Sequence, residues 1–167
     1  MKPMQFRNSF NSAIKKIAAH AILLGITAFF CQYSIAAIPI QQWTLANGAK
    51  VYLVESPTIA MLDVQIDFDA GSRRIPPEKI GLAGATASLL SQGVAARGGL
   101  SALDENALGE AWADLGAQFG SSAGADRMSF SLRTLTEPEL LDKAVALAAR
   151  QIGEPSFPDS IWQRDQR

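Results

Sequence analysis

The chain has 167 residues, 15 Lys plus Arg against 16 Asp plus Glu, and 48% hydrophobic residues, which is ordinary for a globular protein. A formal net charge of −1 gives no basic excess, so nucleic acid is not an expected partner. The single histidine, His20, and the single cysteine, Cys31, both fall within the first 36 residues, which withholds much of metal and nucleophile chemistry from the rest of the chain.

Those residues carry Lys2, Arg7, Lys15 and Lys16 with no acidic residue, then the apolar run AAHAILLGITAFF, then CQYSIAA with small residues at Ser34 and Ala36. This is the pattern of an export signal cleaved after Ala36, or one residue later after Ala37. The apolar run is short for a membrane span of about 20 residues. The destination read from it is the periplasm or the exterior, with an uncleaved membrane anchor as the alternative. Phe29 and Phe30 before Cys31 do not fit a lipid-modified cysteine, which needs small neighbours. Residues 1–36 are therefore assigned to the signal and 37–167 to one domain. Cleavage removes four basic residues and no acidic ones, leaving a net charge of about −5 and neither imidazole nor thiol. A catalytic zinc wants neutral imidazole or thiolate, and a serine nucleophile usually wants an imidazole base.

In chain order, Trp43, Leu45 and Asn47-Gly48 before KVYLVE predict two short strands joined at an Asn-Gly turn. Leu62, Val64, Ile66 and Phe68 alternate with Asp63, Gln65, Asp67 and Asp69, which predicts a strand with one core face and one wet face. After the proline-containing loop Ala70 to Lys79, the run Gly81 to Gly93 predicts a helix rich in small residues. VAARGGL reads as a connection, and Ser101 with Asp104 as the start of a helix carrying Ala107, Leu108, Ala111, Trp112 and Leu115 to a stop at Gly116. AQFGSSAGA is a glycine-broken strand candidate. DRMSFSLRTL is a clearer one, with Met128, Phe130 and Leu132 inward and Arg127 and Arg133 outward. Thr136 and Glu139 around Pro138 resemble a capping box for a helix with the stripe Leu140, Leu141, Ala144, Val145, Ala148 and Ile152. A last helix starts near Pro158. Hairpin-connected strands among helices predict an α+β fold, a largely antiparallel sheet packed against helices.

TLANGAKVYLVE, DVQIDFDAGSRRIPPEKIGLA, LGAQFGSSAGADRMSFSL and EPSFP, in that order, resemble the N-terminal domain of the pitrilysin/insulinase zinc peptidases over about Gln41 to Arg167. Ala70-Gly71-Ser72-Arg73 followed by Gly81-Leu82-Ala83 is the most specific piece. In active members the residue after Gly-Leu-Ala opens the zinc motif H-x-x-E-H. Laid on this chain, its three functional positions become Gly84, Ala87 and Ser88, none of which supplies a zinc ligand or a proton acceptor. The family's remaining ligand, a glutamate on the final helix, falls beyond Arg167 in this register, and Asp165 is out of phase with it. No metal or cofactor is therefore expected, although zinc is expected in active relatives.

Three readings follow from the resemblance. The first is a catalytically silent relative that pairs with an active pitrilysin-like subunit or holds peptide. Peptide would add as a strand along Phe119, Gly120, Ser121 and Ser122, where small side chains leave the backbone accessible; the plain alternative is an edge strand weakened by glycine. The second is an incomplete gene product, truncated at its C-terminal end. The third is a zinc protease with an unusual ligand set, which ligand chemistry disfavours. The Asp63, Gln65, Asp67 and Asp69 row reads as a solvated face, matched by Arg127 and Arg133 if their strand lies alongside. Ser88, Ser91 and Ser129 lack an imidazole base, and Arg97-Gly98-Gly99 is too short for a phosphate loop.

Overall fold

The computed structural model describes residues 38–165, so the expected export signal, with His20 and Cys31, lies outside the described residues. The described residues form two compact units, one ending at Ser56 and the other beginning at Pro57. The first holds strands β1 (Ile40–Thr44) and β2 (Lys50–Val54), paired antiparallel with Ile40 opposite Val54. The Asn-Gly signal marks the end of a three-residue connection. Gly48 N–H donates to Leu45 C=O at 2.9 Å, Leu45 N–H donates to Ala49 C=O at 2.8 Å, and Gly48 sits at φ 86, a conformation that glycine adopts without strain. Ala49 N–H donates to Asn47 Oδ1 at 3.0 Å, which fixes the same turn.

The second unit runs β3 (Met61–Phe68), α1 (Leu82–Leu89), β4 (Gly93–Val94), β5 (Leu103–Asp104), α2 (Glu105–Asp114), β6 (Gln118–Ala123), β7 (Met128–Leu135), α3 (Pro138–Gly153) and α4 (Asp159–Asp165). Its main sheet has the order β3-β7-β6, all antiparallel, and β4 pairs with β5 in a separate short ladder. The architecture is thus α+β, an antiparallel sheet packed against helices. Two bonds fix which backbone groups face which neighbour. Thr136 N–H donates to Ala60 C=O and Gly124 N–H donates to Arg127 C=O. Because an antiparallel ladder alternates every second residue, Met128, Phe130, Leu132 and Thr134 point their backbone groups at β3, while Ser129, Ser131 and Arg133 point theirs at β6.

Several local expectations are corrected. The helix predicted from Gly81 to Gly93 stops at Leu89, tightens into a 3₁₀ turn over Leu90–Gln92 and gives way to β4. Gly93 stands at φ 141, and a Cβ there would lie 2.7 Å from Leu103 O. VAARGGL is more than a connection, since β4 starts it, and Arg97 and Leu100 exchange backbone bonds around Gly98 and Gly99, both at positive φ. The cap of α2 is Asp104, whose Oδ1 accepts from Ala107 N–H at 2.9 Å, with Ser101 uninvolved. No capping box forms at Thr136 and Glu139, because α3 opens at Pro138 and Thr136 still belongs to the sheet through Ala60. Val145 is exposed, and the buried stripe of α3 keeps the expected Ala144 and Ala148 and adds Leu147 and Gln151.

The core gathers Val94, Leu108, Trp112, Ala117, Leu132, Ala144, Leu147 and Ala148, the helices supplying the layer over one face of the sheet. Trp112 stacks on Phe119 with centroids 5.7 Å apart, Phe119 on Phe130 at 6.2 Å, and Phe68 meets Phe130 edge-on at 5.7 Å. This aromatic row ties α2 to all three strands, each contact contributing about 0.5–1.5 kcal/mol beyond area burial. Gln151, 2% exposed, bridges three elements: its Oε1 accepts from Trp112 Nε1 at 2.8 Å and its Nε2 donates to Leu90 O at 3.0 Å. The expected core face of β3 is covered over only half its length. Leu62 and Val64 are half-buried, whereas Ile66 is 41% and Phe68 48% exposed.

The Gly-Ser-Arg turn has a packing reason. A Cβ at Gly71 would stand 2.2 Å from Ala125 O, while Ser72 N–H and Arg73 N–H donate to Gly124 O and Ala125 O, each at 2.9 Å. Only a residue without a side chain lets this turn clamp the β6–β7 turn.

Candidate functional site

Helix α1 and strand β6 lie side by side, because Ser121 Oγ donates to Ala87 O at 2.6 Å and Ala83 and Ala87 are buried. Their small side chains allow the close approach. Ala87 is 6% exposed, while Gly84 and Ser88, four residues apart, share the exposed face of the helix. A Cβ at Gly84 would meet nothing within 4 Å. The arrangement offers one hydroxyl, a methyl group and a bare backbone, a donor set that does not fit zinc. Among the described residues no three acidic side chains come together as a group able to hold a metal ion. No hydrolytic step is assigned to this helix.

The edge strand offers backbone. Strand β6 pairs with β7 on one side, and among the described residues no strand pairs with its other side. By the alternation fixed above, Gln118, Gly120 and Ser122 direct their N–H and C=O groups at β7. Phe119, Ser121 and Ala123 direct theirs at the open edge. Of the four residues expected along a peptide-binding edge, Phe119 and Ser121 direct their backbone groups at the unpaired side of β6, while Gly120 and Ser122 direct theirs at β7. Ala123, which the expected segment did not include, shares the phase of Phe119 and Ser121, fixed by the Gly124 to Arg127 bond that closes the β6–β7 turn.

The wet face of the sheet carries matched charges in rows across the strands. Arg133 Nε donates to Asp63 Oδ1 at 2.6 Å, and Asp63 and Arg133 are register partners. Asp67 accepts from Ser129 Oγ at 2.6 Å, from Gln65 Nε2 at 3.0 Å and from Arg127 Nη1 at 3.1 Å. The Arg133 hydrogen bond holds the Asp63 carboxyl below its ordinary value, and those from Ser129 and Gln65 do the same for Asp67. The solvated-face reading of Asp63, Gln65 and Asp67, with cross-strand partners in Arg127 and Arg133, matches this geometry.

Two concavities lie on this face. One of about 580 Å³ is lined among others by Asp63, Gln65, Gln118, Gly120, Ser131 and Arg133. A second of about 340 Å³ shares Gln65, Gly120 and Ser131 and adds Ser122 and Ser129. Among the described residues no helix is long and apolar enough to cross a membrane.

No protein-family model matches the sequence, and no curated protein matches it either. Solved structures do. The chain is 34% identical to a peptidase M16 inactive domain from Pseudomonas fluorescens, with a TM-score of 0.68 over 77% of this chain and 29% of that one. It is 23% identical to the periplasmic protease PqqL from Escherichia coli, with a TM-score of 0.65 over 78% of this chain and 14% of that one. A protease from Helicobacter pylori is 20% identical, with a TM-score of 0.59 over 78% and 29%. The chain thus spans less than a third of the length of each of these structures. The antiparallel sheet with its helices, the clamped Gly-Ser-Arg turn and the similarity to an inactive M16 domain converge: the described residues form a pitrilysin-like domain of the M16 peptidase family, similar to its non-catalytic kind.

Proposed function

We propose that this chain is an exported, non-catalytic M16-type domain that holds extended peptide along β6 and pairs with an active peptidase subunit. The observation that carries the reading is the edge of β6. Three residues in phase, Phe119, Ser121 and Ala123, present backbone donors and acceptors beside a helix whose motif positions hold Gly84, Ala87 and Ser88. An added strand would satisfy those groups with main-chain bonds, which bind peptides without demanding one sequence. The N-terminal segment, basic and then apolar, and the periplasmic setting of one structural neighbour support export. Pairing is supported by the family: a domain that holds substrate but lacks the metal ligands acts on peptide through a companion that has them.

The test is calorimetric titration of blocked alanine–threonine heptapeptides into the purified chain, compared with Ala123→Pro. Proline removes an edge N–H that bonds to nothing in the free sheet, so the fold survives and binding is lost. Binding unchanged by Ala123→Pro would rule out the edge. For the partner, co-purification with an active M16 subunit and faster peptide cleavage are expected; no complex on a sizing column would refute pairing.

A further inference from the structure

Gly120, Ser131 and Gln65 are register partners in a line across β6, β7 and β3, all on the wet face of the sheet. Gly120 contributes no side chain, Ser131 a small one, and Gln65 closes the far end. On one side of this line stands the row Gln118, Arg133 and Asp63, and on the other the row Ser122, Ser129 and Asp67. Rows two residues apart are separated by about 6.6 Å, so the line is a trough open at the β6 edge, walled by Gln118, Arg133 and Asp63 on one side and by Asp67 at the inner end of the other. Both concavities of this face include its three floor residues.

We infer that this trough is a side-chain subsite for the peptide held on β6, selecting a long, unbranched, uncharged hydrogen-bonding side chain of the glutamine class at the position beside Gly120. The inference rests on the edge-strand reading above and adds a specificity to it. Length is required because the side chain must pass over β6 and reach Ser131, one strand spacing of about 4.8 Å further in. Polarity is required because the floor has no apolar side chain: Ser131 both donates and accepts, as a primary amide does. Neutrality follows from the walls. Asp63 is bonded to Arg133 by two contacts of 2.6 and 3.2 Å, and Asp67 is shared by Ser129, Gln65 and Arg127, so neither wall leaves a charge to be matched. A branched or bulky apolar side chain would strand these groups from water.

The experiment uses the same alanine–threonine heptapeptides with Gln, Leu or Glu placed at each central position in turn. Glutamine at the position beside Gly120 should bind several-fold and up to about tenfold tighter than the host, the value of one net hydrogen bond. The double variant Gly120→Ala/Ser131→Ala should erase this preference, read as the ratio of glutamine-guest to host affinity within the same variant. Its new Cβ fills the mouth, the one atom it would meet, Ser131 Oγ at 2.8 Å, is removed, and the backbone of residue 120 faces β7. Ser131→Thr, which narrows the trough without changing a residue of β6, should reduce the preference as well. Equal affinity for Gln, Leu and Glu, with binding still lost in Ala123→Pro, would overturn the subsite and leave the edge reading intact. Preference undiminished in the double variant would also overturn it. Failure of host and guest peptides alike would remove the edge reading, and the subsite with it.

Discussion

Replacing Gln151 by leucine tests the link that holds α1 in place. The side chain is 2% exposed and serves two buried partners on different elements, Trp112 Nε1 and Leu90 O. Leucine fills nearly the same volume but leaves an indole N–H and a backbone C=O without partners. Each stranded group costs about 1–3 kcal/mol, and the added apolar burial returns about 1–2 kcal/mol, for a net loss near 2–4 kcal/mol. With a urea slope of about 1–3 kcal/mol/M for a small domain, the unfolding midpoint should fall by about 1–2 M, read by tryptophan fluorescence and far-UV dichroism together. Gln151→Glu adds a signature that a cavity or strain effect cannot mimic. Desolvation raises the buried acid's folded pKa above its unfolded value, so this variant loses stability as pH rises toward and through that folded value. A midpoint unchanged by Gln151→Leu, or a Gln151→Glu variant indifferent to pH, would show that the bridge does not support the core.

Three further outcomes are expected. Gly71→Ala should cost about 1–3 kcal/mol by overpacking, since its Cβ would sit 2.2 Å from a backbone oxygen of the β6–β7 turn, and a thermal melt matching wild type would contradict the clamp. Thr134→Val should raise stability by about 1 kcal/mol, because Thr134 is 1% exposed and its Oγ1 has no hydrogen-bond partner; a loss in urea unfolding would count against it. Asp63 and Asp67 should titrate below the ordinary carboxylate value of 3.8 by carbon-detected NMR. Their depressed values mean that the stabilisation is complete above that pH and is lost on acidification below it. Arg133→Ala should return Asp63 toward 3.8 and leave Asp67 low; a joint shift would refute the separate pairings.

Much of the architecture is legible in residue patterns because it follows period and punctuation. The two-residue alternation of Leu62 to Phe68 and of Met128 to Leu132 marks β3 and β7, and pairing them puts Asp63 opposite Arg133. Boundaries are less legible. Asp104 rather than Ser101 caps α2, and Thr136 stays in the sheet, because a backbone partner across the fold outcompetes a local capping signal. The alternation of β3 likewise says which face is apolar but not how far the helices extend over it, which is why Ile66 and Phe68 are more open than their pattern implies. Gln151 was invisible because a polar residue on a helix reads as surface until its partners 39 and 61 residues away are known. The same holds for the candidate site. Gly84, Ala87 and Ser88 follow from the motif alone, whereas the phase of β6 needs the closing bond of its turn, Gly124 to Arg127.

Amide hydrogen exchange along β6, read residue by residue with and without a blocked heptapeptide, addresses the function most directly. In the free chain the amides of Gln118, Gly120 and Ser122 should exchange slowly and those of Phe119, Ser121 and Ala123 quickly, as the ladder register requires. Peptide should slow the second set, leave the first unchanged, and be recovered intact with or without a chelator. Protection that ignores this alternation, or cleavage of the peptide that a chelator abolishes, would contradict a silent, peptide-holding domain.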